Sequence, residues 1–369
     1  PLAHLAVIAP LEHYETLGAR RVWGDLLFSK APLDAERLAR LEADVTARGW
    51  SLIYAPDREL DNPFYRYAHA ADRAEFQRTY PYLISPVSDA QPYLFQFYDP
   101  FRANSWARER DWSVSGVYQS SATTLLTTLA LCSALAALLI LAPLRARRSA
   151  APNAALQPAH ALYFAGLGVG FMAFEVPLVQ ILTLHLGHPT YGFAVVLVSL
   201  LVSTGIGSLL SERLRPRPQP LCAALALGLA GAALGALPLV HATLDWPAPA
   251  RFALALAIVA ALGVPLGMPL ASGVRRLGAS ATSAPAPAPE TPPATVEAPR
   301  SAEAAASASA ERRVAWAWAI NGAASVVGSC LVMLAMVYLG STTSLLGAAL
   351  CYALAAHTAR RLPAEPAAA

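Results

Sequence analysis

The sequence is short of charge and nearly without lysine. Asp, Glu, Lys and Arg make up 14% of its 369 residues, against about a quarter in an ordinary soluble domain. Lys30 is the only lysine, the other basic residues being arginine, and the formal net charge is +3. So small a balance leaves no basic stripe for a nucleic acid, and no nucleic-acid partner is expected. The four cysteines, Cys132, Cys222, Cys330 and Cys351, lack CxxC spacing, and each sits in an apolar run. They read as small buried hydrophobes, with no metal expected. Residues 1–100 contain no Gly-x-Gly-x-x-Gly turn of the kind that cradles a nucleotide phosphate after a strand. The glycine triplet that does occur, Gly166, Gly168 and Gly170, lies inside an apolar run. Glycine at such a place lets helix backbones approach closely.

What the chain has in quantity is apolar surface: 56% of its residues are hydrophobic and its mean hydropathy is +0.43. Apolar runs cover residues 122–143, 161–184, 191–210, 220–241, 252–271, 314–339 and 342–357. A bilayer needs about 20 residues per helical crossing, so the last run is near the short limit. Backbone in lipid must satisfy its own hydrogen bonds, which makes these runs helices. Pro177, Pro265 and Pro269 each remove a helical donor and are expected to kink or open their helices. The lipid bilayer is therefore the first expected partner, and the chain reads as multi-pass.

Ahead of the runs, residues 1–100 alternate strand and helix signals. Strands are expected at 4–9, 22–30 and 51–56. Asp34 is placed to cap a helix carrying Leu38, Leu41 and Val45, Gly49 to end it, and Asn62-Pro63 to open another. The expected fold is mainly α, a polytopic bundle of about seven membrane helices preceded by a partial α/β, Rossmann-like domain. Its parts are residues 1–105 as the α/β part, 106–278 as helices one to five, 279–311 as an Ala/Pro/Ser-rich linker, 312–358 as helices six and seven, and 359–369 as a mobile tail. Arginines alternate along the connections. They cluster at 145–148, 213–217, 275–276, 312–313 and 360–361 and are absent from 185–190 and 340–341. By the positive-inside rule, the arginine-bearing connections and the C-terminus face the cytoplasm.

Glu175 stands in the second run with only apolar neighbours in sequence. A carboxylate at that depth costs about 2.5–3.5 kcal/mol on insertion scales, so it needs a partner or a proton. Gln180 and Asn321, with Ser199, Ser203 and Ser325, are the candidate partners, and Glu175, Gln180 and Asn321 form the expected polar core, either structural or substrate-binding. His185 and His188 read as capping and headgroup contacts rather than metal ligands. Asp89 and Tyr93 lie in SPVSDAQPYLFQFYDP (Ser85 to Pro100), which reads either as a proline-rich turn leading to an aromatic belt or as the edge loop of a site.

The segments YFAGLGVGFMAFEVPLVQ, LGHPTYGFAVVLVSLLVSTGIGS, PLGMPLASGVRRL and WAWAINGAASVVGS occur in that order. Together they resemble the membrane portion of the bacterial integral-membrane spermidine-synthase-like proteins, over about residues 160–345. The resemblance implies a bacterial inner (cytoplasmic) membrane and a methyltransferase-like α/β domain whose C-terminal part is residues 1–105. For the full-length protein it implies S-adenosylmethionine or its decarboxylated form as cofactor, and aminopropyl or methyl transfer. The cofactor glycines and catalytic acid of such proteins are expected in a further domain upstream of Pro1, so no catalytic residue is assigned and this chain carries no cofactor of its own. Pro86 to Tyr93 is similar to a family turn, Pro-x-Thr-Asp-Asp-Arg-Pro-Phe; Asp89 and Pro92 match, while Ala90 and Gln91 replace its second Asp and its Arg. The runner-up reading is a transporter or channel for a small cation such as a polyamine, and the third is a structural anchor.

Overall fold

The computed structural model describes residues 2–10, 25–60, 63–80, 83–93, 121–143, 157–279 and 297–364. The aromatic residues of 94–118, the arginines of 145–148, residues 280–296 of the linker and the end of the tail lie outside them. The chain forms two units. One comprises Pro1–Pro86 with Leu94–Thr124, the other Val87–Tyr93 with Leu125–Ala369.

In the first unit, strand β1 (Leu5–Pro10) lies between β2 (Asp25–Phe28) and β3 (Trp50–Tyr54). Both pairings are antiparallel, with Leu5 opposite Phe28 and Val7 opposite Tyr54. Helix α1 (Ala35–Ala47) starts where expected: the Asp34 carboxylate accepts the Arg37 N–H at 2.8 Å. Leu38 and Val45, seven residues apart and so on one face, are both buried. Gly49, at φ 71°, takes the left-handed turn that ends the helix. Helix α2 (Pro63–Ala68) begins on its proline. Helix α3 (Arg73–Thr79) was not foreseen, although Asp72 caps it by accepting from the Ala74 and Glu75 N–H groups. The three strands thus stand where the apolar runs put them. Their antiparallel pairing differs from the parallel, helix-crossed order of a doubly wound layer.

The second unit holds α4 from Leu125 onward (the helix runs Ser121–Ala136 and continues through one π-helical turn to Leu141), α5 (Pro158–Leu186), α6 (Pro189–Leu214), α7 (Pro218–Thr243), α8 (Ala248–Leu266), α9 (Met268–Ala279) and α10 (Glu297–Ala359). Among the described residues six helices are long and apolar enough to cross a membrane, α8 and α9 counting as one span and residues 307–359 of α10 as another. They carry leucines on their outer faces as well as their inner ones, Leu227 and Leu350 being more than 70% exposed. Helices apolar around their whole girth belong in lipid.

The last span is folded back on itself. Gly340 has φ 85° and ψ 168°, which breaks α10 there. The arm before the break reaches α5 where Asn321 donates to the Phe164 carbonyl. The arm after it returns to α5, with Cys351 and Tyr352 against Gly170 and the Arg361 carbonyl 2.7 Å from the His160 ring. The expected count of about seven took these two arms separately. Helix α10 also begins at Glu297 rather than after residue 311, so residues 297–311, read as linker, are helical. Their alanines, the best helix formers, outweigh the low-complexity pattern there.

Close packing follows some of the glycines. A Cβ at Gly207 would overlap the Val264 carbonyl, one at Gly267 the Thr204 carbonyl, and one at Gly168 the Asn321 carbonyl. These three join α6 to α8 and α5 to α10 at backbone distance. Gly205, Gly231, Gly235 and Gly322 face open space instead. Pro265 lies two residues before the α8–α9 break, whereas α5 continues through Pro177.

Candidate functional site: a half-open cavity among the membrane helices

The packing of α5, α6, α8–α9 and α10 leaves a cavity of about 470 Å³. Helix α5 contributes Gly168, Phe171 and Met172. The same glycine that lets α5 touch α10 also keeps this wall low. Thr204 and Ser208 come from α6, one turn apart, and the α8–α9 break exposes Leu266 to Ala271 along one side. Helix α10 supplies Trp318, Asn321 and Ser325 at helical spacing from its first arm and Tyr352 from its second. Trp318 is 55% exposed and stands at the opening, while Tyr352 is buried at the back.

Several of these polar groups are already bonded. Asn321 Nδ2 donates to Phe164 O at 3.0 Å, Ser325 Oγ to Asn321 O at 3.0 Å, and Thr204 Oγ1 to Leu200 O at 2.6 Å. The amide oxygen of Asn321 has no donor among the described residues. The cavity therefore offers oxygen acceptors, the aromatic rings of Phe171, Trp318 and Tyr352, and apolar walls, with no fixed cation in its lining. Among the described residues no three His, Cys, Asp or Glu side chains gather as a metal site.

The sequence-predicted polar core does not assemble. Glu175 is half-buried and has no hydrogen bond or ion pair among the described residues. It lies on the helical stripe of Gly168, Phe171 and Met172 but does not line the cavity. Its candidate partners are engaged elsewhere: Asn321 with Phe164, Ser325 with Asn321, Ser203 with the Ser199 carbonyl, and Gln180 with Tyr93. Asn321 is anchored beside residue 164, eleven positions from Glu175, or about 16 Å along the helix. Trp318, Thr204, Ser208 and Tyr352 were not singled out from sequence. The one available signal was Trp318, three residues before Asn321 in the same segment.

The loop Val87–Tyr93 belongs to the helical unit, straps its arginine-poor end and meets three helices. Asp89 Oδ2 lies 2.7 Å from His241 Nε2 at the end of α7. The Ala90 carbonyl accepts the Ser341 N–H at 2.8 Å, beside the Gly340 break. Gln91 Nε2 donates to the Val337 carbonyl, and the Tyr93 hydroxyl donates to Gln180 Oε1 at 2.8 Å. Partial burial pushes the Tyr93 hydroxyl up to about 12. Gln180 Nε2 is buried without a partner. Asp89 and Tyr93 thus act together as fasteners of this strap. At the other end of the bundle the Arg276 guanidinium donates to the Pro363 carbonyl and Arg275 to Ser211 Oγ, which brings the ends of α6, α9 and α10 together there. His188 caps α6 by accepting the Thr190 N–H at 3.2 Å, as expected. His185 is 2% exposed, contrary to its reading as a headgroup contact, because it faces inward between helices.

Compared with known proteins, the chain matches no family model, no curated sequence and no solved structure.

Proposed function

We propose that the helical unit is the membrane portion of a spermidine-synthase-like protein of a bacterial inner membrane, and that its cavity binds a small organic cation of the polyamine kind. The observation that carries the binding part is the pairing of Trp318 at the opening with the free amide oxygen of Asn321 behind it, in a space of about 470 Å³. An ammonium group is attracted to the face of an indole and to neutral oxygens, while a methylene chain prefers apolar walls such as Phe171, Met172 and Leu270. Aminopropyl or methyl transfer, with S-adenosylmethionine or its decarboxylated form, belongs in this reading to residues outside the chain, which contributes binding and anchorage. Glu175, unpaired and on the same stripe of α5, is a second attraction for a cation at membrane depth.

The test is equilibrium binding of radiolabelled spermidine to the purified protein in lipid nanodiscs, followed by uptake into proteoliposomes. Trp318→Ala is expected to weaken binding about tenfold, the size of a partly desolvated cation–π contact. Glu175→Gln is expected to weaken it further without loss of folded protein. Binding without uptake keeps the binding role and discards transport. No saturable binding by the unaltered protein leaves only the anchor reading, in which helix substitutions change abundance alone.

A further inference from the structure

A second cavity, of about 200 Å³, opens between α7 and α8 over the last turns of α5, toward the arginine-poor end. Its walls are almost wholly apolar, including Phe174, Leu182, Leu254 and Ile258. The floor carries His185. Its side chain is 2% exposed, and neither ring nitrogen has a hydrogen-bond partner. The neighbouring Arg251 guanidinium donates to the His185 backbone carbonyl at 2.7 Å rather than to the ring. The only other polar side chain in the lining, Thr243, is taken up by the Leu239 carbonyl at 2.7 Å. On α7 the wall is lowered by Gly231 and Gly235, where an added Cβ would meet nothing within 4 Å. Both glycines are exposed on the outer face of the helix, so the opening faces lipid.

The neutral imidazole there holds one N–H donor and one acceptor nitrogen; its donor wants an acceptor, and the apolar space beside it wants filling. A water molecule needs two to four polar partners, and this lining offers one. A lipid acyl chain would fill the space but bring no polar atom to the ring. The occupant that satisfies both demands has an apolar body with a polar atom of its own. An apolar cavity of about 150 Å³ takes a benzene molecule, so 200 Å³ suits a substituted ring. We propose that this cavity binds a membrane-dissolved ring compound bearing a carbonyl, of the quinone class, with a His185 ring N–H donating to the carbonyl and the ring seated between α7 and α8. The site is separate from the polar cavity and does not rest on the polyamine reading.

The experiment measures binding of a short-chain ubiquinone, and in parallel of decane as a body without a polar atom, to the full chain purified in detergent. Saturable quinone binding is expected for the unaltered protein. His185→Leu, which keeps an apolar side chain of similar size, is expected to weaken quinone binding at least tenfold and to leave decane binding and spermidine binding unchanged. Gly235→Leu is expected to block both quinone and decane by filling the groove. Monodisperse elution of each variant checks folding, and His185→Leu alone decides the matter if Gly235→Leu does not fold. Absence of saturable quinone binding, or a quinone affinity indifferent to His185→Leu, overturns the proposal.

Discussion

These two cavities, both lined by helices of the bundle, differ in a way their compositions hide. The larger one is rich in polar side chains, yet Ser325, Thr204 and the amide nitrogen of Asn321 are already bonded to helix carbonyls. The smaller one has almost no polar lining, yet its single imidazole is wholly unpaired. What a membrane cavity can offer a ligand is therefore set by the hydrogen bonds left over after packing, not by the number of polar residues around it. The same contrast runs through the glycines. Gly168 is pressed against a carbonyl, and Gly231 faces empty space.

The sharpest way to break this comparison is at the glycines. Gly168→Leu must displace the Asn321 carbonyl and the arm of α10 behind it. It is expected to cost about 3 kcal/mol or more, read as loss of monodisperse protein on size exclusion. Gly231→Ala, by contrast, is expected to raise stability by about 0.5–1 kcal/mol, since it relieves a helix-interior glycine and meets nothing.

Next in size is a pair of opposite signs. Asn321→Leu removes the donor to Phe164 and is expected to destabilise by about 1–2 kcal/mol. His185→Leu removes a buried, unpaired polar ring and is expected to stabilise the ligand-free protein by a similar amount. Thermal unfolding in one detergent compares the two; equal signs would erase the distinction between the cavities.

The strap supplies the smaller effects. Tyr93→Phe leaves Gln180 without any side-chain partner and is expected to cost about 1 kcal/mol at neutral pH. The Tyr93 hydroxyl sits at about 12 in the folded protein against 10.0 ordinarily. Above pH 10 the unfolded chain loses this proton while the folded one keeps it. Its contribution is therefore whole below pH 10 and is lost as pH rises toward about 12. Stability curves of Tyr93→Phe should lack this alkaline decline. Asp89→Asn breaks a half-exposed contact with His241 and is expected to cost less than about 1 kcal/mol, visible mainly at low salt.

Much of the fold was legible because its signals are local. Apolar runs of membrane length gave the spans, and Asp34 and Gly49 the ends of α1. The site was less legible. Glu175 drew notice as the odd residue in an apolar run, but a lone charge says nothing of its neighbours. Trp318 and Thr204 lie more than a hundred residues apart and line one cavity only because α5 and α9 pack against both α6 and α10. His185 looked like a surface histidine because it is two residues before the turn at Gly187. Its burial comes from α7 and α8 closing over it.

Composition and periodicity alone settled the solvent of this protein, because twenty apolar residues in a row cannot be kept in water and their backbone must coil to satisfy itself in lipid. They also settled where α1 and α2 begin, since caps and prolines act on their own neighbours. Which polar groups stay free was decided only when the helices packed. A hydrogen bond between residues 157 positions apart, such as Asn321 to Phe164, depends on a shared interface that no local pattern encodes.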